Sequence, residues 1–376
     1  MSYIYIHIPF CRKKCPYCNF VSFANQDNID RYIALLKTEI SLKKQNKSID
    51  RAASIYFGGG TPSFLGSERL NDILSALKQS FYIDKATEIT VESNPSDLSL
   101  AYLSALRKMG INRISIGTQS FSDSDLSFLG RTHDAKTAKE SIKNAHEAGF
   151  DNISIDLIYG FNNQSKEQFM DNLKIAAEFP ITHISIYCLS VEDGTLFYHR
   201  EKTGKKMASS DELSSEIYID SVKFLKKNGF HHYEISNFAK NRCESIHNIN
   251  YWQEGEYWGF GLSASSYLKG RRIKNTENYN EYADMLHNGK FPVEYTEKLC
   301  RKDRMSEELI LGLRLTKGIN WSRFKQKYGD LEKFSIIENR INRWITLKML
   351  KMKNGCLSLV FPQGIILSNE VFVDML

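Results

Sequence analysis

One pattern repeats along the first two thirds of the chain and limits what it can fold into: a short β-rich apolar run, a turn, an amphipathic helix, then the next run. The runs are Tyr3 to Ile8, Ser54 to Phe57, Glu88 to Glu92, Arg113 to Gly117, Asn152 to Ile158 and His183 to Leu189. Between the first two, Ile29, Tyr32, Ile33, Leu36 and Ile40 fall at helical spacing and form one apolar stripe. Three helical segments end at Gly110, Gly149 and Gly229, each followed by another strand-like run, as expected where glycine takes the left-handed position after a helix. Repeated βα units with short connections require a parallel sheet, because each crossover helix returns the chain to the same edge in the same direction. An open doubly wound sheet and a barrel both satisfy that requirement. The polar residues favour a barrel, complete or partial. The first run leads to Cys11 and the second to Gly58, Gly59 and Gly60; the third ends at Glu92, the fourth at Gln119, the fifth carries Asp156 and the sixth ends near Cys188. A barrel builds its site from the C-terminal ends of many strands, whereas an open sheet concentrates its ligand at one switch point.

The 376 residues are 42% hydrophobic and 25% charged, which is the balance of a folded chain and excludes disorder. The length suits one large α/β unit and a smaller one, with boundaries read at 1–240, 241–290 and 291–376. Residues 241–290 are aromatic-rich and weakly periodic, and read as an irregular packed segment that closes the barrel mouth. The last part reads as a small α+β module of winged-helix type. It has helices over Ser306 to Leu315 and near Trp321 to Tyr328, and strands at Leu357 to Val360 and Gly364 to Leu367. The net charge of +6 is dispersed and shows no phosphate-tracking face, so nucleic acid is not an expected partner. No apolar run approaches the roughly 18 residues that span a bilayer, and the N-terminus lacks the features of a secretory signal, so the sequence reads as cytoplasmic.

In a reducing compartment cysteines serve metals or chemistry more often than bridges. Three of the seven fall within eight residues, as Cys11-Arg-Lys-Lys-Cys15-Pro-Tyr-Cys18, straight after the first strand. This CxxxCxxC spacing lets one short loop aim three thiolates at a common point. Three readings are open: zinc with a fourth ligand such as His7, an iron-sulfur cluster, or uncoordinated thiols in a basic loop. Three thiolates without a distant fourth suit a 4Fe-4S cluster with one iron left for a small ligand. Arg12, Lys13 and Lys14 would help hold the thiols deprotonated. The Gly58 to Gly60 turn allows a ligand close to the backbone.

At these residues the chain resembles the radical S-adenosylmethionine (SAM) superfamily, in which CxxxCxxC after the first strand of a partial (β/α) barrel binds a 4Fe-4S cluster whose open iron chelates SAM. Glu92-Ser-Asn-Pro95, Gly117-Thr-Gln-Ser-Phe121, Gly130-Arg-Thr-His133 and Asp156-Leu-Ile-Tyr-Gly160 match, in order and spacing, the subfamily of oxygen-independent coproporphyrinogen III oxidases and their relatives. The resemblance implies that Tyr5, Gly59 and Glu92 contact the cluster-bound SAM. It also implies that Tyr17, Gly60, Thr61, Gln119, Arg131 and Asp156 line a second SAM position.

The oxidase pattern continues as CxxxCxxCxC, but here Cys18 is followed by Asn19 and Phe20. The lead before the motif is also short. With His247-Asn-Ile-Asn-Tyr251-Trp252, an HNxxYW motif, these features resemble the heme-chaperone branch of the subfamily. That branch implies heme as cargo, apo-hemoprotein acceptors such as respiratory enzymes at the membrane, a peripheral position at the inner membrane face, and cluster-linked dimerisation. Heme needs an axial donor and a flat apolar enclosure. His247 lies among aromatics with Cys243 four residues before it, and on a helix Cys243, His247 and Tyr251 share a face. His231 and His232 are further candidate ligands. The residues alone leave His247 equally readable as a satisfied core histidine.

Overall fold

A computed structural model describes residues 1–24, 27–44, 50–240 and 242–376. Six strands, β1 (Ser2–Ile8), β2 (Asp50–Gly59), β3 (Glu88–Ser93), β4 (Arg113–Gln119), β5 (Asn152–Tyr159) and β6 (His183–Cys188), stand side by side in chain order, each parallel to the next. Among the described residues the sheet does not close. Beyond β6 it continues antiparallel through β8 (Asn237–Ala239) to β7 (His231–Glu234), while β9 (Trp258–Phe260) lies parallel on the free edge of β1. The architecture is a partial parallel barrel.

Strand alternation explains how a six-stranded core can be both well packed and polar inside. Ile4, Ile6, Ile8, Ile55, Phe57, Ile89, Val91, Ile114, Ile116, Ile153, Ile155, Ile184 and Ile186 are buried toward the surrounding helices. The residues between them face the lumen, and nearly all are polar: Tyr5 and His7; Ser54 and Tyr56; Glu88, Thr90 and Glu92; Arg113 and Ser115; Ser154 and Asp156; His183 and Ser185. Burial of the apolar set against helices such as Ile29–Lys44, Ser67–Ser80 and Ala135–Glu147 drives assembly. The polar set is left free for chemistry. Gly110 ends the helix Leu100–Met109 with φ of 98°, and Gly149 and Gly229 are left-handed too, as their sequence positions imply.

Residues 241–290 depart from expectation. The stretch is regular, with helix Ile246–Trp252, strand β9, the hairpin Ser265–Leu268 and Arg271–Asn275, and helix Tyr279–His287. Val293–Lys298 completes that three-stranded sheet, so the boundary at 290 cuts through one unit. Helix Ile246–Trp252 does not close the mouth. Its first amides at Ile246 and His247 donate to the Glu88 carboxylate at 3.3 and 3.2 Å, and Glu88 begins β3, so the helix seals the end where the strands start. A carboxylate meets the positive end of that helix.

The stretch is fastened to the barrel by Glu39, a buried carboxylate of the first helix. It accepts from the Gly261 amide at 2.8 Å, from the Tyr282 hydroxyl at 2.7 Å and from Asn275 Nδ2 at 2.7 Å. The last module contains helices Arg301–Arg314, Trp321–Tyr328 and Glu332–Thr346 over a small sheet ordered Ile319–Asn320, Cys356–Leu359, Leu350–Lys353. Gly364 to Leu367 is not a strand: Gln363–Ile366 is a helical turn that follows Pro362. Pro362 cannot donate an amide to a ladder, and Gly364 packs against the Met349 carbonyl where a side chain would collide.

Candidate cofactor site

All three motif thiols are free and stand in the wall of one cavity of about 440 Å³ at the C-terminal end of the strands. The loop that carries them is held by backbone pairing of Cys11 N to Phe23 O at 3.0 Å and of Phe23 N to Pro9 O at 2.6 Å. His7 completes the clamp. Its Nε2 contacts the Val21 carbonyl and its Nδ1 the Tyr5 hydroxyl, each at 3.0 Å. The carbonyl can only accept, so Nε2 carries the proton and Nδ1 accepts from Tyr5. With both nitrogens engaged, His7 is not a fourth metal ligand. Among the described residues no three His, Cys, Asp or Glu side chains are grouped closely enough to hold one metal ion. Three free thiols in one cavity wall are a donor set that fits a cluster, whose irons present separate attachment points.

The contact to sulfur comes from an unexpected cation. Arg12, Lys13 and Lys14 are exposed, and Arg12 pairs with Asp97 at 3.0 Å. Arg131 instead donates to Cys15 Sγ at 3.2 Å and to the Gly117 carbonyl at 3.0 Å, while the Thr61 hydroxyl lies 3.5 Å from Cys11 Sγ. Burial pushes the Cys11 and Cys18 thiols up, and the Thr61 contact partly offsets this at Cys11.

The glycine turn explains itself by close approach. Gly59 has φ of 106°, and a Cβ there would stand 2.5 Å from the His7 ring; at Gly60 it would meet the Phe10 and Ile8 carbonyls at 2.7 and 2.8 Å. The Gly59 amide and the Tyr56 hydroxyl donate to Glu92 at 3.3 and 2.8 Å. Burial still raises Glu92 to about 7, and raises Asp156 across the lumen to about 6, with Ser185, Arg113 and Arg131 pulling it down. A ligand bringing positive charge would restore both to carboxylates. Gln119 is left-handed at φ 64°, and its Oε1 and Arg131 Nε are buried without partners. Orphaned polar atoms and backbone strain at one strand end mark a place that expects a ligand.

The residues expected to hold the cluster and SAM therefore gather, with one exception. Tyr17, Gly59, Gly60, Thr61, Glu92, Gln119, Arg131 and Asp156 all line the cavity with the cysteines. Tyr5 lies beneath it, bonded to His7. Tyr187, Ser115 and Asn94 also line the cavity and escaped the sequence reading. The period of two that sends Ser185 into the lumen would have found Tyr187.

The HNxxYW residues stand at the other end of the barrel. His247 is 1% exposed, its Nδ1 2.8 Å from the Ser54 hydroxyl and its Nε2 2.8 Å from the Tyr251 hydroxyl, with Tyr56 stacked on its ring. Burial lowers it to about 3. Both ring nitrogens of His247 are engaged in this arrangement. Trp252 lies under the Arg314 guanidinium at 4.4 Å, and Cys243 is half-buried beside the floor. His232 stacks on Phe238 and contacts the Tyr218 hydroxyl and the Ile235 carbonyl, whereas His231 is exposed.

A three-thiol loop after the first strand of a partial parallel barrel, facing a glycine turn and strand-end carboxylates, defines a radical SAM protein. The Radical SAM superfamily model matches residues 5–176 and the HemN C-terminal domain model residues 299–359. The superfamily's cofactors are a 4Fe-4S cluster and SAM, and the cavity residues fit both. The chain is 34% identical over 374 residues to the heme chaperone HemW of Bacillus subtilis, covering 99% of this chain and 98% of that protein. It is 36% identical to HemW of Lactococcus lactis, covering 99% and 96%. The chain belongs to the HemW family. The solved structure of coproporphyrinogen III oxidase (HemN) from Escherichia coli matches with a TM-score of 0.86 at 22% identity, covering 100% of this chain and 90% of that one, a likeness of fold. Among the described residues no helix is long and apolar enough to cross a membrane.

Proposed function

We propose that this protein is a SAM- and 4Fe-4S-binding heme chaperone that binds heme and delivers it to apo-hemoproteins, with respiratory enzymes at the membrane face as the expected acceptors and a homodimer as the working form. The observation that carries the reading is the full-length likeness to HemW proteins, with the cluster loop and the HNxxYW motif both intact. In the cofactor cavity Cys11, Cys15 and Cys18 would hold the cluster and Glu92 and the Gly59–Gly60 turn the SAM. Bound there, SAM on a reduced cluster is a source of the 5′-deoxyadenosyl radical. The second residue after Cys18 supports the chaperone reading over the oxidase one, because Phe20 occupies the last thiol position of the oxidase pattern CxxxCxxCxC.

Heme ligation by His247 requires Nε2 to exchange the Tyr251 hydroxyl for iron, so loading at this motif is coupled to opening of the floor helix. Tyr251→Phe removes that competitor and should raise heme affinity several-fold, whereas His247→Ala should abolish the histidine-ligated spectrum. An unchanged spectrum in both variants excludes this motif as the ligand. The function itself is tested on anaerobically reconstituted protein by parallel assays of heme transfer to an apo-acceptor and of coproporphyrinogen turnover. Transfer without decarboxylation supports the chaperone; protoporphyrinogen formation at a rate comparable to SAM cleavage replaces it with the oxidase.

A further inference from the structure

Between the cofactor cavity and the floor helix, the lumen holds a charged group that neither end uses. Arg113 opens β4 and is 2% exposed. It is register-paired with Thr90 on β3 and Asn152 on β5, and paired residues of neighbouring parallel strands project to the same face. That face is the lumen. Arg113 Nε, Thr90 Oγ1 and Asn152 Oδ1 are each buried without a hydrogen-bond partner, so three adjacent side chains leave unsatisfied polar atoms at one level of the barrel. A guanidinium has five N–H donors, and the one on Nε of Arg113 has no partner among the described residues. Polar groups buried in this way are met by ordered water.

The charged and titratable groups facing Arg113 come from every wall. They are Tyr56 of β2, Glu88 and Glu92 of β3, Asp156 of β5, His183 of β6, Tyr233 of β7 and His247 of the floor helix. Three carboxylates therefore share the lumen with two guanidiniums, and Arg131 at the mouth is committed to Cys15 and Gly117. Glu88 is committed to the floor helix. Arg113 lies below Glu92 and Asp156, with Glu88 as its strongest electrostatic partner.

We propose that Arg113 is a positioning residue for SAM: from beneath the cavity, through water held by the unpartnered atoms around it, its guanidinium orients Glu92 and Asp156 toward the cationic groups of the ligand. This rests on the reading that those two carboxylates meet SAM. Its direction agrees with electrostatics, since burial lifts both carboxyls while Arg113 draws both down.

The test is SAM binding to cluster-loaded protein by anaerobic equilibrium dialysis between about pH 5.5 and 8.5. Wild type should lose affinity as pH falls through about 7. Arg113→Gln should move that midpoint up by about one pH unit, costing several-fold in affinity near neutrality and little at the alkaline end, and Arg113→Lys should restore it. A merely structural role lowers affinity equally at every pH, and that outcome, an unmoved midpoint, or failure of Lys to restore it overturns the proposal. Should Arg113→Gln not fold, Glu88→Gln decides. It removes a competing negative charge and should move the midpoint down, and a midpoint that stays or rises is again fatal. Wild type that binds SAM equally at all pH values rejects the inference alone, whereas wild type that binds none rejects the site reading beneath it.

Discussion

At the scale of single residues, Glu92 shows how one side chain is prepared for a ligand it has yet to meet. Two donors hold it in place, and burial raises it to about 7, above the ordinary carboxylate value of 4.5. The folded chain therefore holds this proton more tightly than the unfolded chain. Stability from this group is fully present below about 4.5 and is lost as pH rises through about 7. Glu92→Gln should thus make the ligand-free protein more stable at pH 8 than wild type and no different near pH 4, by thermal unfolding. The same change should weaken SAM binding at least about tenfold at pH 8 and much less near pH 6, where wild-type Glu92 is itself largely neutral. The identity of Glu92 was legible in the sequence as a polar residue ending a strand. Its raised pKa was not, because that follows from burial and from Asp156 across the lumen, with the Tyr56 and Gly59 donors pulling the other way.

At the scale of elements, the cluster loop is a short irregular span made rigid by its surroundings. Strand β1 ends at Ile8, His7 fastens Val21, Phe23 pairs back to Pro9 and Cys11, and Gly60 presses its backbone against the Phe10 and Ile8 carbonyls. Gly60→Ala should push the loop outward, and iron per chain after anaerobic reconstitution should fall by at least half, with secondary structure by circular dichroism unchanged. Changing Cys11, Cys15 and Cys18 together to Ala should abolish the brown absorbance entirely. Near-stoichiometric iron and sulfide in that variant would contradict the ligand set, and tightly bound zinc in wild type would revive the mononuclear alternative. The thiol spacing announced this element. The cation at its sulfur did not announce itself: three basic residues inside the motif drew attention and line the cavity rim, yet Arg131, more than a hundred residues on, makes the hydrogen bond to Cys15.

At the scale of the whole molecule, one buried carboxylate fastens the aromatic-rich stretch to the barrel. Glu39 gives the Gly261, Asn275 and Tyr282 donors their partner, and next to it the Tyr32 hydroxyl joins the His7 carbonyl, 2.7 Å away, to the Leu262 amide at 3.2 Å. Glu39→Ala would leave three buried donors unmet at about 1 kcal/mol or more each, so a loss of about 3 kcal/mol in unfolding free energy is expected by denaturant titration. A loss below about 1 kcal/mol would mean the stretch is held by its apolar packing alone.

What the sequence determined by itself was whatever depends on neighbours in the chain. The period-two strands, the glycine stops of the helices, the CxxxCxxC loop and the order of strand-end polar residues each express local geometry, and together they favoured a complete or partial parallel barrel over an open sheet, with its site at the C-terminal strand ends. Tertiary structure alone decided which end of the barrel the HNxxYW helix would occupy. That choice depends on Glu88 offering a carboxylate to the amides of Ile246 and His247 and on Ser54 meeting the His247 ring. These contacts span more than 150 positions of chain, and no periodicity in either segment encodes them. The same holds for the strand read at Gly364 to Leu367, where the apolar residues fit either element and the close fit of Gly364 to the Met349 backbone favoured the helical turn. Local patterns record the hydrogen bonds a segment can make within itself, whereas burial of a charge or a ring is settled only when distant segments arrive to surround it.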